Sequence, residues 1–406
     1  MTENKKSNAG KHLTGLIGKG YMDLHQRAVD GAFCVWIAIN VPAEVFAGFE
    51  NVVYAVPESH AALCAGKGVG ASMCEKAEAQ GYSMDLCSYA RIDIGNASDN
   101  GKESPTFGLP RPDLLISNNN NCSLITKWFD VHHRTWDVPH FIMDIPFCYE
   151  PQKPKDHAYI VGQIKALIRF IEKLSGQSFN MDRYTEAVHH TWSGIREWKR
   201  FLASGKHVPS PITAFDSFVH MAPFLTLRGT PHLKTHFALL ADEAEENLSS
   251  SRFPVEKERY RLFWDNIAPW HQLRKMSRRL AGLGANIVGA SYTSCMGTVE
   301  GSFEFFPYDG KDPLAYLART QNSTVCPHGM ALRKRAMDQA IDELAIDGVV
   351  FASNRSCKVY SVTQMDQMKQ AKVPSVMVDV DHADARQYNE EAVFMRLEAL
   401  LETIDS

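Results

Sequence analysis

The sequence predicts an α/β protein with two doubly wound parallel-sheet domains and a helical layer lying between them in the chain. Three observations predict it. First, one cassette occurs twice, about 235 residues apart. One copy reads Asp113-Leu114-Leu115-Ile116-Ser117, then Asn118 to Asn121, then Cys122. The other reads Gly348-Val349-Val350-Phe351-Ala352-Ser353, then Asn354-Arg355-Ser356, then Cys357. Second, Val138-Pro139 and Val373-Pro374 each begin sixteen residues past their cysteine, and Asp144 and Asp379 stand twenty-two past it. Each cassette therefore reads as strand, polar turn, cysteine, helix, and a strand ending in Asp. Third, strand and helix alternate around both cassettes, the pattern of parallel, flavodoxin- or Rossmann-like sheets. The expected division is an N-terminal α/β domain over 1–150 with Cys87 and Cys122, a mainly helical segment over 151–284, and a C-terminal α/β domain over 285–406 with Cys357.

In chain order, residues 12–30 form a lead-in helix. Phe33 to Ile39 is an apolar strand, and Pro42-Ala43-Glu44 opens a helix. Val52 to Val56 is the next strand, followed by one long helix of small residues from about Ser59 to Gln80. Cys87, in Asp85-Leu86-Cys87-Ser88-Tyr89-Ala90-Arg91, stands at a helix start. Asn96 to Pro112 is rich in Gly, Pro, Ser and Asn and reads as a loop. From Pro154 to Leu283 the apolar spacing is helical throughout, with segments over Ile160–Leu174, Tyr184–Leu202, Leu233–Leu248 and Glu256–Leu280. Strand character returns at Asn286 to Tyr292. Helices over about 311–320 and 328–346 precede the second cassette, and Glu390 to Ile404 closes the chain as an amphipathic helix.

Bulk properties narrow the function classes. The chain of 406 residues is long enough for two or three domains with sizeable cores. A net charge of -4 offers no basic surface for nucleic acid or anionic lipid. No run approaches the roughly 18 apolar residues of a membrane span. The polar start, Met1 to Lys11, lacks the apolar core of a secretory signal, so a cytoplasmic protein is expected. Nine cysteines with no CxxC pair disfavour a disulfide framework, a zinc ribbon and a bacterial ferredoxin cluster. A metal site would have to gather cysteines from distant parts of the chain.

Open parallel sheets place ligands at the carboxyl ends of their strands. Cys122 and Cys357 stand there, and Cys87 opens a helix, where backbone N–H groups favour thiolate, the form that ligates iron. Two readings stand side by side: ligands facing one site, or small buried cysteines of a duplicated fold. Cys34, in an apolar strand, and Cys64 and Cys74, on a small-residue helix, read as core. Cys148, Cys295 and Cys326 sit near loops as candidates for a fourth ligand. Three ligands would leave one iron of a cubane open to substrate oxygen, as a Lewis acid requires, whereas four suit electron transfer. Glu58 follows a strand and opens a helix. It reads equally as a cap and as a general base. Trp36, Asn40 and His60 are possible neighbours. Gly66-Lys67-Gly68-Val69-Gly70 does not follow a strand, so it reads as close helix packing rather than a dinucleotide loop. Asp379-Val380-Asp381-His382-Ala383-Asp384 reads as a solvated acidic turn, with contact to ligand or an oxygen-loving metal as the alternative.

At these residues the chain resembles the 2-hydroxyacyl-CoA dehydratase and benzoyl-CoA reductase family. The likeness spans nearly the whole length. It is carried by Asp85 to Arg91, by Asn118 to Phe129 with Lys127-Trp128-Phe129, by Asn354-Arg355-Ser356-Cys357-Lys358, and by Tyr54 to Glu58. It is strongest to the α-type subunit of heterodimeric dehydratases. The resemblance implies a [4Fe–4S] cluster held by Cys87, Cys122 and Cys357, with its fourth iron open to a thioester carbonyl, and a catalytic carboxylate at Glu58. It implies a β-type partner subunit, an ATP-dependent iron–sulfur activator protein and an acyl-CoA substrate, with no nucleic acid or membrane. The expected activity is a hydro-lyase reaction: loss of water from an (R)-2-hydroxyacyl-CoA through a ketyl radical, giving an enoyl-CoA. The alternatives are a benzoyl-CoA-type reductase subunit and a non-catalytic electron-transfer subunit. One departure stands out. The family's pattern includes a hydroxyl side chain just after a tryptophan, but here Trp36 is followed by Ile37-Ala38-Ile39. Either Asn40 or the backbone takes that place, or the substrate differs.

Overall fold

The computed structural model describes residues 7–120, 122–295, 306–321 and 328–406. Eight strands form two sheets of four, all parallel. In the first sheet β1 (Phe33–Ile37), β2 (Val52–Ala55), β3 (Leu114–Asn118) and β4 (His140–Met143) lie in the order β2-β1-β3-β4. In the second, β5 (Tyr260–Asp265), β6 (Ala285–Ala290), β7 (Gly348–Asn354) and β8 (Ser375–Val380) lie as β6-β5-β7-β8. The duplicated cassettes thus supply equivalent strand pairs, β3-β4 and β7-β8. The order is the flavodoxin-like one, whose switch point falls between β1 and β3 in one sheet and β5 and β7 in the other. The central strands β3 and β5 are buried along their whole length, as strands covered by helices on both faces must be.

Two sequence expectations are corrected. The helix expected over Glu256–Leu280 is strand β5 followed later by a helix over Leu273–Gly282. All six residues of β5 are buried, so it shows no alternation, and its charged ends disguise it. Arg261 bonds the carbonyls of Leu344, His207 and Gly205, and Asp265 accepts from Gln364 and Ser291. The single helix expected from Ser59 to Gln80 is two helices, Pro57–Gly66 and Gly70–Ala79. Gly68, at φ +84°, makes the turn that an L-residue with a side chain resists. Close packing does hold at Gly70, where a Cβ would meet the Ala383 carbonyl oxygen at 2.8 Å.

Between the sheets in sequence, long helices over Pro154–Ser175, Met181–Ala203 and Pro231–Ser249 form the helical layer. Tyr184, Val188, Ile195, Trp198 and Leu202 make a buried stripe at helical spacing on the second of them. Trp198 packs against Phe237 and Phe224, and its indole N–H donates to the Thr293 carbonyl at 3.0 Å, fastening the layer to the second lobe. Its tie to the first lobe is ionic. Arg228 forks onto both oxygens of the fully buried Glu44, at 2.9 and 2.7 Å. Removing one member of such a pair strands the other charge in the interior. Arg228→Met is expected to lower unfolding free energy by about 3–5 kcal/mol, read from urea denaturation midpoints. A loss below about 1 kcal/mol would show that this tie is not structural.

Among the described residues, no helix is long and apolar enough to cross a membrane.

Candidate active site

Two strands of each sheet direct their carboxyl ends at one cavity. Ile39 follows β1, Glu58 follows β2, Trp270 follows β5 and Tyr292 follows β6, and all four line a cavity of about 880 Å³. This volume lies near the top of the ~300–1,000 Å³ common for ligand pockets. Its walls are largely apolar and aromatic, with Phe218 packed edge-on to Trp270 and stacked on Tyr292.

The three predicted cysteines stand at helix starts. Cys87 is the N-cap of the Ser88–Ser98 helix and Cys357 that of the Lys358–Lys369 helix. Cys122 lies two residues before Leu124, the N-cap of the Ile125–Trp136 helix. The two lobes meet at Cys87 and Cys357. The Ser88 amide, next to Cys87, donates to the hydroxyl of Ser356, next to Cys357, at 3.2 Å. Ser356 in turn donates to Asp381 at 2.5 Å. Arg91, wholly buried on the Cys87 helix, reaches Asp384 across the interface at 2.8 Å and Glu78 at 2.6 Å. Arg386 closes the network onto Asp384 and Glu78.

Cys87 feels the charges of both other cysteines. Burial drives the Cys87 thiol well above its ordinary range, negative charge on Cys357 and Cys122 drives it further, and the amides of Ala90 and Tyr89 pull the other way. Cys122 is raised chiefly by burial and opposed by the amides of Leu124 and Ile125, with Glu58 as a further neighbour. Cys87, Cys122 and Cys357 are thus half-buried residues, and the first two face backbone donors suited to sulfur anions. Cys87 Sγ also lies 3.7 Å from His382 Nε2, which bonds the Ser88 hydroxyl at 3.0 Å. The turn after β8, read from sequence as solvated, is instead buried at Asp381, His382 and Asp384 and belongs to this site.

Glu58 is buried in the first turn of the Pro57–Gly66 helix. Its Oε1 accepts from the Ile39 amide at 3.0 Å, and its Oε2 has no hydrogen-bond partner among the described residues. Burial raises its acidity constant to about 7, against the pull of the Ile39 amide and its own, with Asp93 adding to the rise. Tyr89 joins the two halves of the site. It lines the cavity, bonds the Trp270 indole, and feels the charges of Cys87 and Cys357.

Other candidates are used elsewhere. The Trp36 indole donates to the Pro110 carbonyl at 2.9 Å inside the first core, and His60 bonds Ser104 at 2.8 Å. Asn40 is buried just past β1. Cys34, Cys64 and Cys74 are buried in the core, as expected. Cys148 lies at a bridge to His328, and Cys295 donates to the Tyr292 carbonyl. Cys326 lies outside the described residues. Among the described residues, no three His, Cys, Asp or Glu side chains converge tightly enough to hold a single metal ion. A cubane spans several ångströms and needs its sulfurs further apart than one ion would.

Comparison with known proteins gives matches over most of the chain. The family described as 2-hydroxyglutaryl-CoA dehydratase, D-component, matches residues 38–404. The chain is 31% identical to the (R)-phenyllactyl-CoA dehydratase alpha subunit of Clostridium sporogenes, over 91% of this chain and 89% of that one. It is 27% identical to the lactoyl-CoA dehydratase subunit alpha of Anaerotignum propionicum, over 100% and 99% of the two chains. It is also 27% identical to a benzoyl-CoA reductase subunit of Thauera aromatica, over 87% and 85%.

Proposed function

Because this chain belongs to the 2-hydroxyglutaryl-CoA dehydratase D-component family, we propose that it is the α-type subunit of a 2-hydroxyacyl-CoA dehydratase, a hydro-lyase that converts an (R)-2-hydroxyacyl-CoA to an enoyl-CoA. The observation that supports the reading is that Cys87, at a helix start in one lobe, feels the charges of Cys122 and of Cys357 from the other lobe, while Cys122 feels the buried Glu58, which lines the apolar cavity together with Tyr89 of the Cys87 helix. In this reading Cys87, Cys122 and Cys357 hold a [4Fe–4S] cluster. The donor set fits: three half-buried thiols, with amide donors aimed at two of them. When bound, the cluster supplies one low-potential electron and a Lewis-acid corner.

The remaining chemistry falls to the chain itself. The β-hydrogen of a 2-hydroxyacyl thioester is too weakly acidic for ordinary elimination. One electron on the thioester carbonyl gives a ketyl radical anion, which expels the adjacent hydroxide. The β-C–H of the remaining radical is far more acidic, and Glu58 takes that proton. Its Oε1 is fixed by the Ile39 amide while Oε2 stays available, and its acidity constant near neutrality suits general-base work. The electron leaves as the product forms, so hydroxide and proton make up one water. Phe218, Trp270 and Tyr292 keep solvent from the radical. A β-type partner subunit and an ATP-dependent activator complete the system.

The test is anaerobic assay of the purified chain with its partner and reduced activator on lactoyl-, phenyllactoyl- and isocaproyl-type 2-hydroxyacyl-CoA. Enoyl-CoA should form over many turnovers per electron supplied. One reductant consumed per product would instead identify a reductase, and no product from any of them would remove the dehydratase reading.

A further inference from the structure

The same cavity has a second, oppositely charged end. Glu58 is buried, whereas Lys67, Arg274, Lys275 and Arg278 line the cavity and are exposed. The cavity therefore runs from a carboxyl in the interior to a cationic rim. None of these four cations has an ion pair or hydrogen bond among the described residues. Their neighbour Arg279 differs, pairing with Glu391 at 2.7 Å and Glu390 at 3.5 Å. The only other acid in the lining, Asp216, accepts from the Thr213 amide.

The arrangement works against the helix that carries it. Arg274 and Arg278 stand four residues apart on the Leu273–Gly282 helix, where like charges repel. Arg274 and Lys275 lie in its first turn, where the dipole disfavours cations, and its N-cap Gln272 makes no side-chain cap bond. An anion placed there would relieve both costs, and the free amides of the helix start would add to its binding. Lys67 faces this helix from the end of the Pro57–Gly66 helix, whose first turn holds Glu58. At the far end, the unpartnered Oε2 of Glu58 is the second sign of an absent ligand.

We infer that Lys67, Arg274, Lys275 and Arg278 form the landing site for the phosphate-bearing nucleotide end of an acyl-CoA, whose thioester end then reaches Glu58 through the apolar cavity. This rests on the dehydratase reading for the identity of the acyl end, but the anion site stands on the cations alone.

The probe is adenosine 3′,5′-bisphosphate, which carries the nucleotide phosphates and no thioester. Binding to the purified protein is measured by calorimetry at low and physiological salt. The wild type should bind, more weakly as salt rises. Arg274→Glu/Arg278→Glu should weaken binding about tenfold or more, and the salt dependence should shrink. Lys165→Glu, on the exposed face of the Pro154–Ser175 helix, should leave it unchanged. An unchanged melting temperature in the double variant shows that the fold is intact. Equal binding by wild type and double variant, or no binding by the wild type, overturns the inference. The two readings fail separately. Loss of bisphosphate binding does not report on dehydration, and a protein that binds the bisphosphate but dehydrates no acyl-CoA refutes the dehydratase reading alone.

Discussion

Glu58→Gln is expected to lower the dehydration rate by about 10²- to 10⁴-fold while making the folded protein more stable above neutral pH. The amide keeps an oxygen for the Ile39 N–H, so geometry is preserved and only the proton-accepting function is lost. The stability effect follows from the raised acidity constant. In the wild type, Glu58 goes from 4.5 unfolded to about 7 folded. The folded state holds this proton more tightly than the unfolded state does. Stability is therefore greatest below about 4.5, falls as pH rises toward 7, and levels off above that. The difference corresponds to about 3 kcal/mol at pH 8. Glutamine does not titrate, so the variant escapes this decline. Urea midpoints of the cluster-free chain at pH 5 and pH 8 measure it. If the two proteins show the same pH dependence, the carboxyl is not held neutral by burial. If the variant retains full turnover, another base removes the proton. Such a trade of stability for a poised group is common at active sites.

Substitution of any one of Cys87, Cys122 or Cys357 by alanine is expected to abolish the proposed cluster. Anaerobically purified heterodimer should lose about four iron atoms and four acid-labile sulfides in each variant. Cys34→Ala, Cys148→Ala and Cys295→Ala should lose none. A cysteine at a helix start that merely packed would behave like Cys34. Full iron content in any of the three variants would end the three-ligand reading, and loss of iron in Cys148→Ala would point to a fourth ligand and to electron transfer.

The features legible in the sequence were those with a fixed local grammar. Asn118 and Asn354 end buried strands, and their cysteines follow in polar turns, so the paired cassettes could be read without knowing what they pack against. Cys87 and Glu58 were legible for the same reason, since each stands at a helix start. β5 was not, because a strand buried on both faces has no alternation, and its buried polar side chains find partners far away in sequence, Arg261 on the Leu344 carbonyl besides its ion pair with Glu258 and Asp265 on Gln364. His382 and Asp381 were misread because their turn is acidic, and only the approach of the Cys87 helix buries it. The cationic rim was equally hidden. Arg274, Lys275 and Arg278 carry no sequence signal of their own, and only the tertiary structure sets them together at the cavity rim.

The split of the three thiols between lobes has a consequence for how the protein matures. Cys87 and Cys122 leave the ribosome well before Cys357, which follows Cys122 by 235 residues. The serine pair and the Arg91–Asp384 contact that align them form only once the last strand and its turn have been made. If the three thiols hold the proposed cluster, loading of iron and sulfide would follow translation, and a truncated or stalled chain would present only two of the three thiols and should capture no stable cofactor.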